Sequence, residues 1–111
     1  MKVNFEGIIK TLKIIQESPK FFVLDEDVKE IETFVYGFLL GCYISHPEID
    51  LRTQYFYFKR KVSTKMKLKL GTRSTVDVLR ESGLTDDKVH KDFLDMEIEI
   101  WRRLAKHFEE S

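Results

Sequence analysis

The sequence predicts an all-α fold: a single domain built as a bundle of about five helices. Apolar residues recur at steps of three and four along most of the chain, and residues that cap helices precede these stretches. Only two prolines and five glycines interrupt them. With 111 residues, 42% of them hydrophobic, the chain can enclose one core and is too short for two ordinary domains. Residues 1–111 are therefore predicted to form one helical domain.

The first helix is predicted from its cap and its apolar stripe. Asn4 can accept a hydrogen bond from the first turn, and Pro19 marks the end of the helix. The stripe consists of Phe5, Ile8, Ile9, Leu12 and Ile15. A short apolar connector, Phe21–Leu24, is expected to follow.

The second helix is predicted to begin at Asp27, because Glu30 three residues later completes a capping-box pattern. It should run to about Ile44. Apolar residues surround much of this segment, so we expect it to be the central and most buried helix. Gly37 and Gly41 lie one turn apart, which predicts that another helix of the bundle packs closely against them.

The middle segment allows two alternatives. A β-hairpin within residues 54–70 is favoured by alternating lysine and apolar residues, but the glycine, asparagine or aspartate of a tight turn is missing. A helix is favoured by Pro47 near its start, by Gly71 as its cap and by one continuous apolar stripe. That stripe is Leu51, Tyr55, Phe58, Val62, Met66 and Leu70. We predict the helix.

The last third predicts two further helices. Ser74 can cap a short helix that Gly83 ends, and Thr85 or Asp86 can cap a long final helix to about Phe108. Apolar residues of the final helix recur at steps of three or four, as core residues do: Val89, Phe93, Met96, Ile100, Leu104 and Phe108.

The charges fall into three blocks. Residues 51–73 hold eight lysines and arginines and no acid, although the chain has 19 residues of each sign. The flanking blocks each carry a net charge of −4. One interpretation is that the basic segment lies against acidic helix faces. The other is that it is a surface for nucleic acid or for an acidic partner.

Most catalytic classes lack the residues they need. His46, His90 and His107 are far apart and have no second ligand at metal-binding spacing, and the lone Cys42 lies in an apolar run. No glycine-rich phosphate loop is present. We therefore predict a non-enzymatic protein without metal or cofactor. Because no segment resembles a signal peptide or a membrane span, we predict a cytoplasmic protein without membrane contact.

Acidic residues crowd the early part of the final helix. They are Asp86, Asp87, Asp92, Asp95, Glu97 and Glu99, and most are expected to face water. Such a face is either an ordinary solvated surface or a negative surface for a basic partner. Glu99 is spaced to pair with Arg102 or Arg103.

The chain resembles the immunity proteins that bacteria make against contact-dependent growth inhibition toxins and other polymorphic toxins. The resemblance lies in its size, in its lack of a catalytic constellation, and in the run Ile31-Glu-Thr-Phe-Val-Tyr-Gly-Phe-Leu-Leu-Gly leading into His46-Pro47-Glu48. It implies a protein that binds and neutralises a cognate toxin domain, for instance a nuclease acting on tRNA or DNA. Such nucleases often have basic clefts, which an acidic helix face could fill.

Two functional hypotheses follow. In the first, a toxin domain is bound through Asp86, Asp87, Asp92, Asp95 and Glu99. The alternative is a small nucleic-acid-binding module that uses the basic segment 52–73, with Tyr55 and Tyr57 stacking on bases. Its contact residues would be Lys59, Arg60, Lys61, Lys65, Lys67 and Lys69. If the flanking acids neutralise the basic segment, nucleic acid should bind only weakly at physiological salt.

Overall fold

A computed structural model of the chain describes residues 2–19 and 27–109, and these fold into five α-helices. In chain order they are α1 (Phe5–Glu17), α2 (Val28–Ser45), α3 (Leu51–Lys65), α4 (Thr75–Glu81) and α5 (Asp86–Glu109). The described part of the chain contains no strand. The all-α prediction is confirmed. The predicted connector Phe21–Leu24 lies outside the described residues.

Four of the predicted caps are present, those of α1, α2, α4 and α5. At the start of α5 the Thr85 hydroxyl accepts a hydrogen bond from the Lys88 backbone N–H at 3.4 Å. The Asn4 side chain accepts a hydrogen bond from the Gly7 backbone N–H at 2.9 Å, and Asp27 accepts one from the Lys29 N–H at 2.9 Å. Ser74 accepts from the Asp77 N–H at 3.2 Å. Each bond satisfies an amide that has no partner within its own helix, which is why these helices begin where they do.

The central helix is α5, not α2 as predicted. Nine of its residues are buried, among them Phe93 and Trp101, and it packs against all four other helices. The length of α5, 24 residues or about 36 Å, lets it reach every other helix. In α2 the buried residues are confined to the first half, Val28–Val35. Its second half extends along the surface, where Leu40 and Ile44 are exposed.

The middle segment is helical, so the hairpin alternative is wrong. The helix is also shorter than predicted, because it ends at Lys65 and does not continue to Leu70. Lys67 adopts a left-handed conformation with φ of 61°. The Lys67 N–H donates to Thr64 O at 3.0 Å and the Leu68 N–H donates to Ser63 O at 2.8 Å. This bond pair is a Schellman helix end, with a lysine where glycine is usual. Residues 66–74 then form an irregular loop that leads into α4.

Candidate functional site

An apolar stripe lies on the solvent side of α2. It consists of Gly37, Leu40, Gly41 and Ile44, which follow helical spacing and share one side of the helix. We call it the α2 outer face. Leu40 is 59% exposed and Ile44 is 67% exposed. A Cβ atom added to either glycine would meet no described atom within 4 Å. The glycine pair therefore faces outward, and the predicted packing of another helix of the bundle against it is wrong for the described part of the chain.

Aromatic and cationic side chains border the α2 outer face. The Tyr43 ring is 47% exposed and lies 5.9 Å from the guanidinium carbon of Arg52 on α3. Phe56, also on α3, is 48% exposed. Together with Leu40, these three residues line part of a groove of about 460 Å³ between α2 and α3. The apolar stripe of α2 thus continues into a shallow aromatic depression.

A larger groove of about 900 Å³ lies between α3 and the loop that follows it. We call it the cationic groove. Five of its lining residues are cations: Arg52, Lys59, Arg60, Lys69 and Arg73. Its other lining residues are Thr53, Phe56, Tyr57, Ser63, Thr64, Leu68, Leu70, Gly71 and Thr72. None of the described lining residues is a carboxylate, so the groove has a single sign of charge.

The cations of the basic segment form few ion pairs with the residues that the structure describes. Of the eight between Leu51 and Arg73, only Arg73 has a described carboxylate within 4 Å, that of Glu81. The acids on the other helices pair instead with cations outside the segment, among them Lys29 and Arg80. Among residues 2–19 and 27–109, close contact between the basic segment and acids of other helices, one of the two interpretations above, is limited to two places. These are the exposed Arg73–Glu81 pair and the buried Tyr55 and Lys59 side chains beside Glu97.

The predicted nucleic-acid residues occupy different surroundings. Arg60 and Lys69 line the cationic groove, and the Lys61 ammonium lies 5.4 Å from the centre of the exposed Tyr57 ring. Lys65 and Lys67 are exposed at the end of α3. Tyr55 is fully buried, so the prediction that it stacks on bases is wrong. It lies in the apolar stripe of α3, and its hydroxyl is used inside the core.

A buried polar cluster lies between α2, α3 and α5, beneath the grooves. The Tyr55 hydroxyl donates to the two carboxylate oxygens of Glu97, at 2.7 and 2.9 Å. The Lys59 ammonium donates to the Tyr36 hydroxyl at 2.8 Å, and that hydroxyl lies 3.5 Å from Oε2 of Glu32. This cluster was not predicted from the sequence, where Glu97 was grouped with acids that mostly face water. The Glu97 side chain is fully buried.

Burial shifts the protonation of this cluster. Desolvation raises the pKa of Glu97 to about 7, against the opposing effects of the Tyr55 hydroxyl and the Lys59 charge. The nearby Glu32 carboxylate raises that pKa further. Desolvation also lowers the pKa of Lys59 and raises the pKa of Tyr55. Glu32 is held by its own donors, the Ser74 hydroxyl at 2.5 Å and the Val76 N–H at 3.1 Å. These bonds tie α2 to the start of α4.

The predicted acidic contact residues are mostly paired with neighbouring cations. Their ion pairs are Asp86 with Arg80 (3.3 Å), Asp92 with Lys88 (2.8 Å), Asp95 with Lys91 (2.8 Å) and Glu99 with Arg103 (3.0 Å). Asp95 also accepts a hydrogen bond from Gln16 on α1. Asp87 is exposed and has no ion pair with a described residue. Acids and bases thus alternate on this face of α5, and its local net charge is small.

The histidines and the cysteine lie apart from one another. His46 contacts Glu48 at 3.2 Å, His90 contacts the Gln16 carbonyl oxygen at 3.1 Å, and the His107 ring packs against Phe58. Cys42 is half-buried, and desolvation raises the pKa of its thiol. The described residues contain no group of three or more His, Cys, Asp or Glu side chains placed to hold a metal ion.

Comparison with protein-family models, with curated proteins and with solved structures returns no match for this chain. None of the described helices combines the length and apolar character that crossing a membrane requires. The grooves and the α2 outer face therefore have to be interpreted from their own chemistry.

Proposed function

We propose that this protein is a non-enzymatic cytoplasmic inhibitor that binds another protein through the α2 outer face, and that its partner is a cognate toxin domain. The observation that carries the proposal is the exposure of Leu40 and Ile44 on one stripe with two glycines that no described residue covers. Apolar side chains grouped on one exposed helix face are typical of surfaces that a partner covers.

The shape and composition of this surface support a protein partner. Because glycine has no side chain, a partner segment can approach the α2 backbone closely between Leu40 and Ile44. The border adds Tyr43, Phe56 and Arg52, and tyrosine and arginine are the residue types that most often dominate binding energy at protein interfaces. Aliphatic side chains at the centre with aromatic and cationic ones around them match the anatomy of a protein-binding surface.

The acidic residues of α5 offer a second, weaker contact with a basic toxin surface. Asp87 is the member of this set without a described ion pair, so it is the strongest candidate for steering such a surface. Asp92 and Asp95 already have lysine partners, and exposed pairs of this kind contribute little. We therefore expect Asp87→Asn and Asp92→Asn to slow association at low salt and to change affinity less than substitutions in α2.

The proposal is tested with the products of the neighbouring genes, among which it requires a toxin domain. Leu40→Glu places a charge at the centre of the α2 outer face and should weaken binding by about 30-fold or more, as expected for an interface hot spot. Ile14→Glu is the matched control, because Ile14 is an aliphatic residue on α1 that is 43% exposed. It should leave affinity and growth protection unchanged.

Two results would contradict the proposal. One is the absence of binding and protection by the unmodified protein. The other is an equal effect of the Leu40 and Ile14 substitutions. Sedimentation of the protein alone over a range of concentrations checks a further outcome: if Leu40→Glu converts a dimer into a monomer, the α2 outer face is covered by a second copy and is not available to a toxin.

A further inference from the structure

We infer that the cationic groove binds single-stranded nucleic acid, an inference that goes beyond the proposed protein contact and does not depend on it. The groove is built by α3 and by the loop after it, and none of the four residues of the α2 outer face lines it. The two surfaces share Arg52 and Phe56 at their border. Each can still be changed separately at residues that only one of them uses: Leu40 on α2, and Tyr57, Arg60 and Lys69 in the cationic groove.

Charge is the first argument. Five cations line the groove without a described carboxylate among them. Arg73 pairs with Glu81, and Lys59 donates to Tyr36 in the buried polar cluster. The other three, Arg52, Arg60 and Lys69, have no ion pair with a described residue. A phosphate backbone supplies a regularly spaced row of negative charges, and its binding to lysine and arginine releases condensed counterions. The weak nucleic-acid binding predicted from sequence assumed that acidic helix faces neutralise this segment, and the ion pairs of the described residues do not support that assumption.

Aromatic rings at the groove are the second argument. Phe56 is 48% exposed and Tyr57 is 42% exposed, and both line the groove. The Lys59 ammonium lies 5.9 Å from the Phe56 ring centre, and the Lys61 ammonium lies 5.4 Å from that of Tyr57. A base stacked on either ring would place its phosphate near a cation. Exposed rings beside a positive groove are the arrangement that proteins use for single strands.

The same features favour a single strand over the other polyanions. Bases in a duplex are stacked on one another and present no free face to Phe56 or Tyr57. Carboxylates of an acidic protein could neutralise the cations, but they offer no flat surface for the rings. The hydroxyls of Thr53, Thr64 and Thr72 add neutral hydrogen-bonding groups along the groove. They can donate to phosphate or base oxygens without reading a defined sequence.

The test measures the fluorescence anisotropy of a labelled oligouridylate of 12 nucleotides at increasing protein concentration, in salt from 50 to 200 mM. We expect a dissociation constant of about 10 µM or below at 100 mM salt, within the range of sequence-independent binding. Tyr57→Ala should weaken binding by about 5- to 100-fold with an unchanged salt dependence, because it removes stacking only. The double variant Arg60→Ala, Lys69→Ala should reduce the slope of log K against log salt by about 1.4, or about 0.7 for each cation.

The matched control is the double variant Lys88→Ala, Lys91→Ala, which removes two exposed lysines of α5 that are paired with Asp92 and Asp95. It should bind as the unmodified protein does. The inference is overturned by a dissociation constant above about 10 µM at 100 mM salt, toward the weak end of non-specific binding. It is also overturned if the control loses as much affinity as the groove variants, or if a polyglutamate peptide or a duplex of the same length binds more tightly than the oligouridylate.

Discussion

Glu97 makes the stability of this protein depend on pH in a direction opposite to that of most carboxylates. Its side chain is fully buried in the centre of the fold, and the Tyr55 hydroxyl donates to its two oxygens. Desolvation raises its pKa to about 7, whereas the ordinary value is 4.5. The folded protein therefore retains the Glu97 proton over a pH range in which the unfolded chain releases it.

The magnitude follows from this difference. Below pH 4.5 Glu97 is protonated in both states, and its contribution to stability is fully present. Between pH 4.5 and about 7 the unfolded chain binds fewer protons, so the free energy of unfolding falls by up to about 1.4 kcal/mol per pH unit. The total loss is about 3 kcal/mol. This loss of stability is complete just above the pKa of Glu97 in the folded protein.

The assay is urea unfolding followed by circular dichroism at several values between pH 5 and pH 8. The unmodified protein should be more stable at pH 5 than at pH 8. Glu97→Gln, whose amide oxygen can still accept from Tyr55, should lose most of this dependence. Glu99→Gln is the control, because Glu99 lies one turn from Arg103 on the surface of α5, and it should retain the profile. Parallel profiles for the unmodified protein and Glu97→Gln would refute the reasoning.

Two further predictions concern the fold. Phe93→Ala, in the centre of α5, should reduce the free energy of unfolding by about 3–5 kcal/mol. Phe56→Ala, on the exposed surface of α3, should reduce it by about 1 kcal/mol or less. Equal losses in urea titrations would contradict the central position of α5. Lys67→Gly should raise stability by about 0.5–1 kcal/mol because it relieves the left-handed conformation, while Lys65→Gly, still within α3, should lower stability by about 1 kcal/mol. A loss of stability in both glycine variants would contradict the assigned end of α3.

Helix positions were largely predictable from sequence because they depend on local chemistry. Asn4, Asp27 and Ser74 each accept the backbone hydrogen bond expected of a cap. The end of α3 was not predictable in the same way, because a lysine occupies the left-handed position where sequence analysis looks for glycine. The apolar stripe from Leu51 to Leu70 continues through that turn and conceals it.

The arrangement of the helices was harder to predict, because the hydrophobicity of a helix face does not indicate whether another helix packs against it. The second half of α2 is apolar and yet exposed, so its composition alone suggested a central helix. Glu97 had a detectable signal: it lies four residues after Phe93 and three before Ile100, within the buried stripe of α5. Grouping it with the other acids of that helix obscured its position. Several acids of the other helices pair with Lys29 and Arg80 and not with cations of the basic segment. These pairs depend on tertiary contacts, which the spacing of residues along the sequence cannot indicate.

The central claim is that a toxin domain covers the α2 outer face. Its most direct test is a hydroxyl-radical footprint of the protein alone and in complex with the product of the neighbouring gene. The side chains of Leu40 and Ile44 are more than half exposed and should be oxidised readily in the free protein. We expect the complex to protect both side chains strongly and to leave Ile14 on α1 oxidised as before. Protection confined to the acidic stretch Asp86–Glu99 of α5, with Leu40 and Ile44 unchanged, would contradict it.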